Sequence, residues 1–298
     1  MQIQANGISL EVDDQGPVDG EPILLIMGLG MQLIAWPEEL VQELVARGFR
    51  VIRFDNRDIG LSQSMDALGT PNLPLAVVRH MLHLPVHAPY TLADLARDAV
   101  GVLDALGLAS AHVCGASMGG MVAQHLAAEA GPRLRSLTLM MTTSGARQLP
   151  QAAMKVRQAL IKRPGGSDIE SLVAHSTALL GLIGSPAYPM EPERLRRRVD
   201  DMVRRSYRPA SVVRQLVAIA ADGDRSALLA RIQAPTLVIH GNDDPLVPVA
   251  AGHDLVRRIR GANSDFIDGM GHSLPLELLP RFADRIAANA KRAATMGG

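Results

Sequence analysis

The sequence is poor in cysteine and aromatic residues, carries no excess of either charge, and has no long apolar run. One cysteine, Cys114, occurs in 298 residues, so no disulfide can form within the chain. A lone thiol fits a reducing compartment. Phe, Trp and Tyr together make up 3%, which leaves little on which nucleobases could stack. Lys and Arg number 30 against 30 Asp and Glu, so there is no global field to gather nucleic acid or an anionic membrane. No apolar stretch reaches the roughly 18 residues of a spanning helix. The opening Met1–Gly7 lacks the basic and apolar regions of a secretory leader. The expectation is a cytoplasmic protein whose partner is a small molecule, with neither nucleic acid nor membrane involved. Nothing in the sequence reads out an oligomeric state.

Hydrophobic residues form 47% of the chain. At this length a core can fold without disulfide or metal. Gln2–Ala5 and Ile8–Val12 read as strands around an Asn6-Gly7 turn. Ile23–Met27 is a solid apolar run ending at Gly28, the pattern of a strand buried on both faces. Strands and helices then alternate. Pro37–Arg47, Thr91–Leu106 and Met118–Ala130 read as helices. Val51–Asp55, Ala111–Gly115 and Leu134–Met141 read as strands. From Gly145 to Ala230 no strand pattern appears, only amphipathic helices, one expected to start at Ser167 in a capping box with Glu170 and another over Pro192–Arg205. The alternation resumes with a strand over Pro235–His240, a helix over Ala250–Arg260, a short strand over Asp265–Ile267 and a closing helix over Leu276–Ala290. Ala293–Gly298 reads as a frayed tail. The fold class is therefore α/β with a mostly parallel sheet. Residues 1–144 and 231–298 would form its core and 145–230 a helical insertion.

One motif carries chemistry. Gly115-Ala116-Ser117-Met118-Gly119 matches G-x-S-x-G between a strand and a helix, the context in which a sharp turn lifts the serine oxygen above the sheet. A Gly- and Ala-rich stretch can produce the five residues by chance, but the strand before and the helix after argue for the nucleophile. A serine hydroxyl becomes nucleophilic when a base removes its proton. Of nine histidines, only His272 follows a final short strand in a glycine-flanked loop.

With these motifs the chain resembles the α/β-hydrolase family over nearly its whole length. Trp36-Pro37-Glu38-Glu39 and Asp55-Asn56-Arg57-Asp58-Ile59-Gly60-Leu61-Ser62 look most like the aclacinomycin-methylesterase-like hydrolases, with Asp58 where the family's D-x-R-G-x-G-x-S loop has its first glycine. Gly241-Asn242-Asp243-Asp244-Pro245-Leu246-Val247-Pro248 matches the family's G-x-x-D-x-x-x-P pattern, and Gly269-Met270-Gly271-His272 its G-x-G-H loop. The resemblance implies an α/β-hydrolase fold, with 145–230 as a helical cap. It implies a triad of Ser117 as nucleophile, His272 as base and Asp244 as acid. Some relatives carry the acid one strand earlier, but Thr142-Thr143-Ser144 holds no carboxylate. The oxyanion hole would take the backbone N–H of Met118 and a second N–H from the loop after Ile23–Met27, assigned to Leu29. The family's His-Gly at that loop is Met27-Gly28 here.

The resemblance implies a serine esterase that cleaves carboxylic esters or lactones through an acyl-serine, with no cofactor and no metal. A cofactor-free perhydrolase or haloperoxidase, and a carbon–carbon bond hydrolase, remain open on the same triad, as does a non-catalytic ligand-binding protein on this scaffold. Haloalkane dehalogenase or epoxide hydrolase chemistry would need a carboxylate in place of Ser117. Met27, Met31 and Met270 lie beside the expected catalytic loops and are candidates for a soft, adaptable substrate pocket, although core filling explains such residues as well. His80, His83 and His87 could share one helical face as metal ligands do, but Pro85 interrupts them and no carboxylate or cysteine completes a set. The arginines of 194–205 are read as a solvated face opposite Leu195, Val199 and Met202. Cys114 is read as an inert strand residue.

Overall fold

The computed structural model describes residues 1–162 and 164–296. The chain opens with β1 (Gln2–Ala5) and β2 (Ile8–Gln15), and the Asn6-Gly7 turn between them takes positive φ at both residues. It continues through β3 (Glu21–Ile26), α1 (Glu38–Ala46), β4 (Phe49–Phe54), α2 (Leu73–Met81), α3 (Leu92–Ala105), β5 (Ala111–Ala116), α4 (Met118–Glu129) and β6 (Leu134–Met140). Among the described residues, five helices follow without a strand: α5 (Met154–Ile161), α6 (Ile169–Ile183), α7 (Pro192–Arg205), α8 (Pro209–Asp222) and α9 (Ser226–Leu229). The sheet pattern then returns with β7 (Thr236–Gly241), α10 (Ala250–Arg258), β8 (Asn263–Ile267) and α11 (Leu279–Met296). Among the described residues, no helix is long and apolar enough to cross a membrane.

The eight strands form one sheet in the order β1-β2-β4-β3-β5-β6-β7-β8. β2 runs antiparallel to β1 and β4, and every pair from β4 to β8 is parallel. One face packs Leu95, Val102, Val122 and Leu126 of α3 and α4 against Leu24 and Val113. The other packs Leu40 and Leu44 of α1 and Phe282 of α11 against Ile23 and Leu25. Helices on both faces explain why β3 and β5 are apolar without alternation: neither side of these strands meets water. The winding reverses between β3 and β5. In open α/β sheets the crevice at such a reversal, beyond the carboxyl ends of the strands, is where ligands bind.

Four expectations are corrected. The helix expected from Ser167 begins at Ile169, because Asp168 is the cap and accepts from Ser171 N, so there is no capping box with Glu170. α2 was not anticipated. The closing helix runs on through Met296, past the expected fray at Ala293; Gly297 and Gly298 lie outside the described residues. The arginines of α7 do not all face solvent. Arg196, Arg197 and Arg204 are exposed, but Arg198 donates to Ala35 O at 3.0 Å and Arg205 reaches Asp55 at 2.7 Å. Residues 198 and 205 lie two helical turns apart, beside the buried stripe of Val199 and Met202, and turn inward with it.

Asp58 adopts φ 75°, the left-handed region that aspartate tolerates better than most residues. Its buried carboxylate receives Arg214 of α8 through two guanidinium nitrogens at 2.6 and 2.8 Å, together with Ser211 Oγ, Tyr90 Oη and Met65 N. The 55–62 loop is thus ion-paired to the helical segment at a position fully shielded from water. Burial alone would raise the Asp58 carboxyl; Arg214 and the hydrogen bonds outweigh it and hold the group below the usual aspartate range. A depressed carboxylate stabilises the fold above its unfolded-state pKa, near 4, and loses that contribution as pH falls through its folded-state value. Asp58→Ala should therefore cost about 3 kcal/mol in urea unfolding at neutral pH, because Arg214 is left buried with only the exposed Asp66 as an ionic partner. The gap from the unaltered protein should narrow as pH is lowered below about 4. A gap independent of pH would show that packing, not charge, holds this position.

Candidate active site

β5 ends where α4 begins, and Ser117 is the single residue between them, with φ 54° and ψ −121°. The turn is possible because its neighbours are small. A Cβ at Gly119 would lie 2.0 Å from Ile26 O of β3, and one at Gly115 would lie 2.3 Å from Gly119 O. α4 therefore packs directly on the end of β3, which brings the loop after β3 over the serine.

Ser117 Oγ lies 3.0 Å from His272 Nε2, and His272 Nδ1 lies 2.7 Å from Asp244 Oδ2. Ser117, His272 and Asp244 come from loops after β5, β8 and β7, at the same sheet edge. Asp244 is buried, and its other oxygen accepts Leu246 N at 2.9 Å and Val247 N at 2.8 Å. With Nδ1–H donated to Asp244, Nε2 is free to accept the serine proton. Asp243 points elsewhere and accepts Gly269 N at 2.7 Å. His240, not singled out in the sequence, lies 3.7 Å from Asp244 Oδ2 and bonds Val247 O at 2.8 Å. Burial lowers its pKa and favours the neutral ring, which leaves Asp244's charge for His272.

The histidine loop is held from the helical segment. His272 N donates to Ile183 O at 2.7 Å, and Gly271 N to Ser185 Oγ at 2.9 Å. The backbone N–H groups of Leu29 and Met118 donate no hydrogen bond among the described residues. Both residues line the same cavity as Ser117 and His272. Two unspent N–H groups beside a serine can receive a developing oxyanion.

The cavity has a volume of about 1180 Å³, and α6, α7 and α8 supply much of its wall. Met27 and Met31 line it, and so do Met121, Met141 and Met202, which the sequence reading did not propose for a pocket. Met270 does not. It is fully buried in the core against α11, with its carbonyl accepting Asp243 N at 3.1 Å. The histidines of 80–87 do not share a helical face: α2 stops at Met81, and His83 takes φ 57°. Among the described residues no group of three His, Cys, Asp or Glu is placed to hold a metal ion. Cys114 is fully buried in β5, and burial pushes its thiol up, away from thiolate chemistry.

Comparison with known proteins agrees with this architecture. Residues 21–277 match the sequence profile of the alpha/beta hydrolase fold. The rhodomycin D methylesterase DauP of a Streptomyces species is 32% identical over 94% of this chain and 93% of its own. A 2-hydroxy-6-oxononadienedioate/2-hydroxy-6-oxononatrienedioate hydrolase of Paraburkholderia xenovorans is 28% identical over 92% of this chain and 88% of its own. Among solved structures, a meta-cleavage product hydrolase of Pseudomonas fluorescens matches with a TM-score of 0.74 at 21% identity, covering 98% of both chains, a likeness of fold.

The two neighbouring aspartates give a sharp test. Asp244→Asn preserves shape but removes the charge that fixes the His272 tautomer, and should lower kcat by up to ~10⁴-fold. Asp243→Asn removes one acceptor of a loop N–H and should cost less than ~10-fold. kcat for both variants on one activated ester, with circular dichroism as the folding control, decides between them. A crippled Asp243→Asn beside a nearly normal Asp244→Asn would move the acid by one residue.

Proposed function

The chain belongs to the alpha/beta hydrolase fold family, and from that membership we propose that it is a serine esterase that cleaves carboxylic esters through an acyl-serine on Ser117. The observation that carries this reading is the continuous Ser117–His272–Asp244 hydrogen-bond chain, whose serine and histidine line an apolar cavity. In this mechanism His272 takes the serine proton as Oγ attacks the ester carbonyl and returns it to the departing alkoxide. The N–H groups of Leu29 and Met118 receive the oxyanion. Water, activated by the same histidine, then releases the acid. Residues 145–230 act as a cap over a core of 1–144 and 231–298, and its helices give the acyl or alcohol portion an apolar wall.

The likeness to a methylesterase supports an ester with a small alcohol and a large acid. Such a substrate fits a cavity of about 1180 Å³ on the acyl side. The likeness to a 2-hydroxy-6-oxononadienedioate hydrolase supports a second reading, cleavage of a carbon–carbon bond beside a ketone with the same residues.

A panel of methyl esters, p-nitrophenyl esters, lactones and a vinylogous 1,5-diketone separates these readings. Esters should turn over faster than the diketone, and short to medium acyl chains faster than emulsified long-chain triglyceride. Ser117→Ala should lower kcat by at least ~10³-fold without unfolding the protein, and a fluorophosphonate should add once, at Ser117. Full ester turnover by the alanine variant ends the acyl-serine reading.

A further inference from the structure

The loop from Met27 to Leu33 has to lie against Ser117 while keeping the Leu29 N–H unspent. Met27 opens this loop, and a thioether cannot anchor a loop through strong hydrogen bonds. The anchors come from other parts of the chain. Gly30 N donates to Gln215 Oε1 of α8 at 2.9 Å, and Gln215 Nε2 points back to Arg57 O at 3.4 Å. Asn56 Nδ2 donates to Met27 O at 2.9 Å, and Leu33 N donates to Asp55 Oδ1 at 2.7 Å. Gln32 Nε2 reaches Met202 O at 2.7 Å and Ser206 O at 2.9 Å at the end of α7.

Gln215 grips the most sensitive point. Met31 N bonds Gly28 O at 3.2 Å, so Gly28–Met31 is a β-turn with Leu29 and Gly30 at its centre. Gly30 has φ 67°. The peptide between the two central residues is the one whose orientation distinguishes turn types I and II, and its N–H is the group Gln215 receives. Gln215 is fully buried, so it is not a water-exchanged surface contact. Val212, one turn earlier on α8, closes over Gly30, where a Cβ would lie 3.1 Å from its Cγ2. One helical turn of the inserted segment thus holds this loop by a hydrogen bond and by packing together.

We propose that Gln215 is a positioning residue for the oxyanion hole: by holding the Gly30 N–H it fixes the turn that presents the Leu29 N–H to the developing alkoxide. The inference rests on the serine-hydrolase reading above. It makes the inserted segment part of the catalytic apparatus and not only a wall of the cavity. An interaction of this kind acts on the transition state. It should appear in kcat and in the binding of tetrahedral adducts, and leave ground-state binding nearly untouched.

The probe is a benzyl trifluoromethyl ketone. Ser117 Oγ bonds to its carbonyl carbon, the serine proton passes to His272, and the carbonyl oxygen becomes an alkoxide in the hole. The protein without substitution and Gln215→Met, close in volume but without the amide, are compared on p-nitrophenyl butyrate. The variant's kcat should fall ~10–100-fold, less than for outright removal of an oxyanion donor, with KM within ~2-fold. The ketone's Ki should rise by the same factor as kcat falls, while the Ki of the matching secondary alcohol stays constant. Gln215→Asn keeps the amide but shortens its reach by one methylene. It provides the same measurement if the methionine variant does not fold, as judged by circular dichroism and Tm. Unchanged kcat, or equal weakening of ketone and alcohol, overturns the positioning role while ester turnover by the unsubstituted protein keeps the hydrolase reading alive. An unsubstituted protein that neither turns over the ester nor forms the Ser117 adduct overturns both.

Discussion

Ser117 holds a backbone conformation, φ 54° and ψ −121°, that costs a residue with a Cβ on the order of 1–3 kcal/mol and persists only where the surroundings over-determine it. Here the surroundings are backbone against backbone. Gly119 lies on the end of β3 with no room for a side chain, Ser117 N is bonded to Met140 O at 2.9 Å, and Thr142 Oγ1 donates to Ser117 O at 2.7 Å. The strain has a chemical consequence. It raises the serine oxygen clear of the strand and leaves the Met118 N–H at the first turn of α4, where it has no intrahelical partner. The sheet order follows from the same requirement: β5 must sit beside β3 for the loop after β3 to cross the serine, and the winding reverses at that pair.

Once the elbow is fixed, the remaining groups arrive by long-range contacts, and their polar atoms are satisfied in a consistent way. Asp244 spends one oxygen on its own turn and one on His272. Asp55 receives Leu33 N, Leu61 N and Arg205, and Asp58 receives Arg214, Ser211, Tyr90 and Met65 N. Each buried carboxylate has several donors, the condition under which buried charge is tolerated. Leu29 and Met118, whose N–H groups are unspent among the described residues, line the cavity together with Ser117 and His272.

The parts legible in the sequence were those encoded over a few neighbouring residues. Gly115–Gly119 specifies the elbow by size, and Asp244 and His272 were singled out because their short loops resemble those of the family. The strands of the core were legible because burial on both faces leaves a continuous apolar run. α2 was not. Its apolar residues lie on all sides, with Leu75, Val78 and Met81 exposed, and prolines at 71, 74 and 85 hide a nine-residue helix among loop signals. Met270 was misassigned because nearness to His272 in the chain says nothing about direction: Met270, two residues before the histidine, turns to the core. Gln215, Gln32, Asn56 and Ser185 were invisible for a different reason. Gln215 meets Gly30 across 185 positions, and a glutamine on an otherwise ordinary amphipathic helix carries no local mark of the loop it serves.

The same contacts set the energetics of the helical segment. α7 and α8 meet the rest of the chain through Arg205 to Asp55, Arg214 to Asp58, Gln32 to the end of α7, and Gln215 to Gly30. Lifting these helices away as a body would strip the buried Asp58 of its guanidinium partner, take Arg205 from Asp55, and leave the Gly30 N–H unbonded unless water replaced each partner. A buried donor or acceptor without a partner costs ~1–3 kcal/mol, and a buried charge without one costs ~3–5 kcal/mol. Three such losses together approach the whole stability of a typical domain, ~5–15 kcal/mol. A small opening that keeps the ion pairs and moves only the apolar contacts around the cavity is far less expensive. The polar ties therefore separate two properties of one segment: its seating on the loops after β3 and β4 is fixed by charge and hydrogen bonds, while the Met- and Leu-lined wall of the cavity is held by apolar contacts, which adaptable thioether chains can rearrange at lower cost.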